Sequence, residues 1–205
     1  MNIENFEPLG SNCEFGFVLQ TVNNNVPSLF RWTSIQIDDL CHLLDANFDS
    51  AFERDNVSPH TNDMVLDKKY GWAFHSALKS KDGQFALAAT RLEKLFRIER
   101  SRLQQMIKQF RTRLQDGDVI CVFSANDLRD EQIIALKQAI DRFSGHSRNI
   151  LMVVSGDDAA GDEPGALHKL DDLTWRGRVA QLAPWSQAND ADYDSWNKLM
   201  ITISG

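Results

Sequence analysis

Two apolar runs with a helix-forming segment between them constrain the fold of this 205-residue chain more than any other feature. The runs are residues 119–123 and 150–154, and continuous runs of this kind are typical of strands buried on both faces. Between them, residues 130–143 place isoleucine, leucine and alanine at helical spacing. Strand, helix and strand in this order predict a crossover between parallel strands. We therefore predict a three-layer α/β/α fold with a mostly parallel sheet, formed as a single domain over residues 1–205.

The rest of the chain supplies further helices and strands around this unit. A first strand is predicted at residues 3–9 and a last one at residues 173–182. Between residues 49 and 82 the periodicity is weak, and only short strands at 65–66 and 70–74 are indicated. Apolar periodicity predicts helices over residues 11–22, 37–48, 85–114, 130–143 and 192–201.

Composition and charge exclude several classes of protein. The formal net charge of −7 argues against general nucleic-acid binding, which favours a basic domain. Cys13, Cys41 and Cys121 form no C-x-x-C pair, and three scattered thiols suit a reducing compartment. The start of the chain has no secretory pattern, and no apolar run is long enough to span a bilayer. We expect a cytoplasmic protein without a membrane span.

The segment of residues 8–17 combines a glycine turn, a helix start and a thiol. Ser11 and Glu14 have the spacing of a capping box, which predicts Ser11 as the residue that caps the helix. Cys13 is then the second helical residue, where free N–H groups and the helix dipole favour a thiolate. This position predicts a nucleophile. The alternative is a small buried apolar residue, which is the usual role of a free cysteine.

Polar segments follow three predicted strands and are expected to meet at one edge of the sheet. They are residues 10–13, 124–127 and 155–158. Capping and turn formation explain the same serine, asparagine and aspartate residues equally well. If the edge is a site, Asn126 or Asp127 is a candidate for orienting a catalytic base.

A thiol nucleophile needs a base, which is usually a histidine. His75 ends an aromatic segment at residues 70–75 and is the best candidate, although a structural role is open. The chain lacks the H-x-x-x-H, H-E-x-x-H and C-x-x-C spacings of zinc sites, the two common nucleotide-binding fingerprints and the serine-hydrolase elbow. We therefore expect neither a metal nor a cofactor.

Several of these segments together resemble one bacterial family of unknown function, whose members are described as papain-like cysteine peptidases. The opening residues 9–17, with sequence LGSNCEFGF, resemble its L-G-x-N-C opening, and the aromatic segment at 70–75 its segment ending in histidine. Phe30-Arg31-Trp32 resembles its F-D-W or R-W segment, with Arg31 where other members have aspartate. The strand at 119–123 and the segment at 177–185 extend the resemblance over nearly the whole chain.

The resemblance implies a cysteine nucleophile at Cys13 and a histidine base at His75. It also implies an association with bacterial surface-polysaccharide or glycosyltransferase pathways. We predict a cysteine-dependent hydrolase or acyl-transfer enzyme acting on a small-molecule, peptide or glycan substrate of unknown identity. The residues predicted to contact that substrate are Gly10, Ser11, Asn12, Arg31 and Trp32.

The alternative is a non-catalytic carbohydrate- or nucleotide-binding module in the same pathways. Tryptophans would stack on a sugar, and the basic face of the helix at 85–114 would meet a phosphate. Core packing and a solvated helix face explain the same residues. The candidate tryptophans are Trp32, Trp72, Trp175 and Trp185.

Overall fold

A computed structural model describes residues 2–156 and 162–205. Its helices are α1 (Glu14–Thr21), α2 (Ile37–Asp45), α3 (Ala89–Asp116), α4 (Asp130–Ser144) and α5 (Tyr193–Ser204). Its strands are β1 (Phe6–Pro8), β2 (Thr33–Ser34), β3 (Val57–Pro59), β4 (Met64–Asp67), β5 (Trp72–His75), β6 (Ser80–Lys81), β7 (Gln84–Phe85), β8 (Ile120–Ser124), β9 (Ile150–Ser155), β10 (Leu167–Asp171) and β11 (Thr174–Arg178).

The main sheet has five strands in the order β1-β8-β9-β11-β10. Strands β1, β8, β9 and β11 run parallel, and β10 pairs antiparallel with β11. One face of β8 and β9 packs in a core with residues of α2, α3 and α4, and the other face packs with α1 and α5. This arrangement confirms the predicted three-layer α/β/α fold and the β8–α4–β9 crossover.

A second, antiparallel sheet has the order β2-β5-β4-β3, in which β3, β4 and β5 come from the segment between α2 and α3 and β2 precedes α2. It packs on an aromatic core in which the ring of Trp72 lies 5.3 Å from Phe30 and 4.9 Å from Phe74. The sequence indicated only short strands here, and β2, β3 and the β6–β7 hairpin were not predicted. Each of these is two or three residues long, which is too short for a period-two pattern.

The start of α1 differs from the predicted capping box. Cys13 is the N-cap residue, and the amide oxygen of Asn12 accepts a 2.9 Å hydrogen bond from the N–H of Glu14. Ser11 has a φ of +80° and lies outside the helix, where its hydroxyl group is 3.0 Å from that of Ser124. Asn12, one residue before the N-cap, thus accepts the Glu14 N–H bond that the capping-box pattern assigned to Ser11.

The side chain of Glu14 is fully buried and joins α1 to the C-terminal part of the chain. It accepts hydrogen bonds from the N–H of Ala183 at 3.1 Å and from the indole of Trp196 at 2.8 Å. The ring of Trp196 also packs at 4.9 Å from Phe15. Glu14 is therefore a link between two distant segments and does not close a capping box.

No helix in the described ranges is long and apolar enough to cross a membrane.

Candidate functional site

His75 forms a pair with Asp63 at the end of the second sheet. His75 is the last residue of β5, and Asp63 directly precedes β4, whose Met64 is the register partner of His75. The Nδ1 atom of His75 lies 3.1 Å from Oδ2 of Asp63. The hydroxyl group of Thr61 donates to the other carboxylate oxygen at 3.2 Å. The pairing of β4 with β5 therefore brings the side chains of Asp63 and His75 together.

Asp63 is held in its charged form. Desolvation raises the pKa of Asp63, but the neighbouring His75, the Thr61 hydroxyl group and Lys79 together outweigh it and lower that pKa. A charged carboxylate at Nδ1 favours the imidazole tautomer that carries its proton on Nδ1 and leaves Nε2 free to accept a proton. This is the form that a general base requires.

Cys13 lies at the N-terminus of α1 with 8% of its surface exposed. Burial raises the pKa of its thiol to about 11, and the negative charge of Asp63 contributes to the rise. The pKa of Cys13 is therefore raised, whereas the helix start predicted a lowered value, and burial is the main cause. Within residues 2–156 and 162–205, no hydrogen bond joins Sγ of Cys13 to His75.

Asn126 and Asp127 lie elsewhere. The amide oxygen of Asn126 accepts a 2.9 Å bond from the N–H of Gly156, which joins the loops after β8 and β9. Both residues line a cavity of about 530 Å³ with Ser11 and Asn12, at the carboxyl edge of the parallel strands. The predicted meeting of these segments is thus observed, although Asp157 and Asp158 lie outside the described residues. The acid that directly contacts His75 is Asp63.

The turn before α1 is packed closely. Gly10 has a φ of +90°, and a Cβ atom there would lie 2.9 Å from the side chain of Ile35. The Asn12 amide donates to the carbonyl of Ala183 at 3.3 Å. Gly10, Ser11 and Asn12 therefore hold the backbone that presents Cys13.

The two other predicted substrate contacts, Arg31 and Trp32, differ in exposure. Arg31 is 6% exposed, and its guanidinium donates to the carbonyls of Asn24 at 2.8 Å and Gly16 at 3.1 Å. These bonds use Arg31 to fix the chain beside α1, so its guanidinium is directed into the protein and away from a ligand. Trp32 is partly exposed and packs edge-on against Phe17. It contributes to the wall of the cavity beside His75.

The cavity beside His75 has a volume of about 630 Å³. Its walls come from β5, α3 and the segment before β2, and Phe74, Leu103 and Met106 supply apolar surface. The exposed cations Lys79 and Arg102 also line it. The sequence placed Arg102 on a basic helix face but gave no signal that this part of the face meets His75.

The remaining candidate tryptophans differ in burial and in their neighbours. Trp72 is fully buried in the aromatic core, Trp185 is 46% exposed, and Trp175 lies with its ring 5.9 Å from the ammonium group of Lys169. On the basic helix, Arg113 forms an ion pair with buried Glu7 at 3.2 Å. Parts of the basic face therefore have structural partners.

Metal binding has no support in the described part of the chain, which contains no group of three or more histidine, cysteine, aspartate or glutamate residues suited to an ion. Comparisons with protein-family models, curated proteins and solved structures found no match to this chain.

Proposed function

We propose that this chain is a cysteine-dependent hydrolase or acyl-transfer enzyme in which Cys13 is the nucleophile, His75 the general base and Asp63 the residue that orients the base. The observation that carries the proposal is the 3.1 Å contact between His75 and Asp63, together with the effect of the Asp63 charge on the Cys13 thiol. The resemblance of residues 9–17 and 70–75 to the cysteine-peptidase family supports the same pair of residues.

The raised pKa of Cys13 determines how the reaction would proceed. With a pKa of about 11 the thiol is neutral at pH 7, so a standing thiolate–imidazolium pair is not the resting state. Nε2 of His75 would instead take the thiol proton as sulfur attacks the acyl carbon, and then return that proton to the leaving group. Water or an acceptor would release the acyl group from sulfur and regenerate the thiol. The two side chains share no hydrogen bond in this structure, so the proposed proton transfer would require them to approach each other.

The N-terminus of α1 offers stabilisation for the charge that develops on the substrate. Cys13 is the N-cap residue, and backbone N–H groups at a helix start are directed outward from the first turn. A carbonyl oxygen that becomes negative during attack is stabilised by such donors. The nucleophile and the donors would then be supplied by the same turn.

Cys41 provides a matched control for a test of this proposal. Burial raises the pKa of its thiol to about 11 as well, and the charged side chains that act on it are Asp45, Asp38 and Arg142. The experiment treats the Cys41→Ser and Cys13→Ser variants with p-nitrophenyl acetate and locates the acetyl group by peptide mass spectrometry. We expect acetylation of Cys13 to be at least about tenfold faster than that of Cys41, because a positioned base contributes about a hundredfold or more. It should slow to the Cys41 rate in His75→Ala. Equal rates at the two thiols in the native protein would refute the proposal.

A non-catalytic binding module is the second candidate. The raised pKa of Cys13 and the cavity of about 630 Å³ favour it. Ligand binding without any difference in reactivity between Cys13 and Cys41 is the result that this candidate requires.

A further inference from the structure

We infer that the cavity beside His75 binds the acyl part of the substrate, and that this part has an apolar body and an anionic group. The inference rests on the proposed function, since it places the reacting carbonyl at His75. The volume of about 630 Å³ lies within the usual range for small-molecule sites, which is roughly 300–1,000 Å³.

The apolar body is indicated by the walls. Leu29, Phe74 and Leu103 are each less than 10% exposed and still border the cavity, and the partly exposed side chains of Met106 and Trp32 extend the same surface. A chain or ring placed against these groups removes apolar area from water on both partners. A purely polar ligand would make no apolar contacts with these walls.

The anionic group is indicated by charge. Lys79 and Arg102 are exposed at the cavity, and neither makes a direct ion pair with another described residue, although the charge of Lys79 helps to lower the pKa of Asp63. Glu99 is the acid in the lining, but it is 9% exposed and its Oε2 atom already accepts bonds from the Ser76 hydroxyl group and the N–H of Ala77. The cations are therefore accessible, whereas the acid is largely committed to the protein. A carboxylate or phosphate at the mouth of the cavity would complement the two cations.

The lining includes His75, the apolar Leu103 and Met106, and the cations Lys79 and Arg102. In the inferred complex His75 would meet the reacting carbonyl, Leu103 and Met106 the apolar body, and Lys79 and Arg102 the anionic group. The substrate class is thus an acyl compound with a second, acidic group separated from the reacting carbonyl by an apolar spacer.

Calorimetry on the Cys13→Ala variant tests binding without any reaction. Three probes share one length and one amide end: the monoamide of octanedioic acid is anionic, the diamide is neutral and 8-aminooctanamide is cationic. We expect the anionic probe to bind about five- to tenfold more tightly than the neutral one, a gain typical of two exposed ion pairs. The monoamide of butanedioic acid, which has a shorter spacer, should bind more weakly than the octanedioic monoamide.

The charge assignment has its own matched pair of variants. Lys79→Gln combined with Arg102→Gln should abolish the preference for the anionic probe. Arg91→Gln combined with Lys94→Gln removes the same two charges from exposed positions of α3 outside the cavity lining and should preserve the preference. Equal binding of the three charged forms, or tightest binding of the cationic probe, would overturn the inference.

The two proposals fail separately. If Cys13 is no more reactive than Cys41 but the anionic probe still binds, the catalytic proposal fails, and with it the role of the cavity as an acyl site. If Cys13 is activated but binding is independent of charge, only the assigned substrate class fails.

Discussion

His75 Nδ1 and Asp63 Oδ2 lie 3.1 Å apart, and about half of each side chain is exposed to solvent. An exposed pair of this kind contributes little to stability, because water and salt screen it and both side chains lose freedom. The pair has a larger effect on the orientation of His75, because the carboxylate holds the imidazole ring in one position and one tautomer. The first prediction follows from this difference.

Asp63→Asn should lower the pKa of the Cys13 thiol and at the same time slow the reaction of that thiol. Removal of the negative charge lowers the pKa of Cys13 from about 11, although burial keeps it above the ordinary value. Loss of the carboxylate also frees the His75 ring, so acetylation of Cys13 at pH 7 should slow by about tenfold or more. The pH dependence of iodoacetamide alkylation gives the pKa, and the acetylation assay gives the reactivity. A variant with unchanged acetylation would show that Asp63 has no orienting role.

Glu7 predicts a pH-dependent stability unrelated to the proposed chemistry. Desolvation raises its pKa from 4.5 to about 7, against the opposing effects of Arg113, the Ser28 hydroxyl group and Arg31. Between these two values the folded protein holds a proton that the unfolded chain has released. The contribution of this proton to the free energy of unfolding is therefore fully present below pH 4.5. It is lost as the pH rises through 7, and the loss is about 3 kcal/mol.

Glu7→Gln should flatten that pH profile when urea unfolding is measured between pH 4 and pH 8, a range that spans the two pKa values of about 4.5 and 7. Glu4→Gln changes an exposed carboxyl group nearby and should leave the profile intact. Retention of the full slope in Glu7→Gln would assign the pH dependence to another group.

Glu14→Ala should destabilise the fold by about 3 kcal/mol, because the N–H of Ala183 and the indole of Trp196 would both lose their buried acceptor. Glu14→Gln should cost less, about 1–2 kcal/mol, since the amide oxygen can still accept one of the two bonds. Urea unfolding measures both changes, with exposed Glu131→Gln as the reference. Equal stability of the alanine variant and the native protein would show that the link is dispensable.

Gly16→Ala tests how closely α1 approaches the following segment. Alanine normally stabilises a helix interior by about 1 kcal/mol relative to glycine. Here the added Cβ would lie 2.7 Å from the carbonyl oxygen of Arg31 and 2.9 Å from the ring of Trp32. We therefore expect a net loss of about 1–3 kcal/mol in thermal or urea unfolding. Gln20→Ala, on the exposed face of the same helix, should be neutral or slightly stabilising, and a stabilised Gly16→Ala would contradict the observed packing.

The three layers of the fold could be predicted from the sequence because the apolar patterns of their strands and helices are local. The apolar runs at 119–123 and 150–154 correspond to β8 and β9, and the periodic segment at 130–143 corresponds to α4 within one residue. Burial on both faces of a strand leaves a continuous apolar pattern, so no tertiary information is needed to recognise it.

The candidate site was harder to predict from the sequence because it depends on how short strands pair. The sequence singled out Cys13 and His75 but not Asp63, which meets His75 only because β4 and β5 pair in one particular register. It also predicted a lowered pKa for Cys13, since a helix start is visible in sequence whereas the burial that raises the pKa is a property of the folded chain. Lys79, Glu99 and Arg102 meet at one cavity for the same non-local reason.

The link through Glu14 has a consequence for the time at which the chain becomes reactive during synthesis. Its partners Ala183 and Trp196 follow it by 169 and 182 residues, so the start of α1 cannot take its final position until Trp196 has been made. Cys13 is the neighbouring residue and shares that delay. If Cys13 is the nucleophile that we propose, its surroundings would be incomplete on the nascent chain until α5 has left the ribosome.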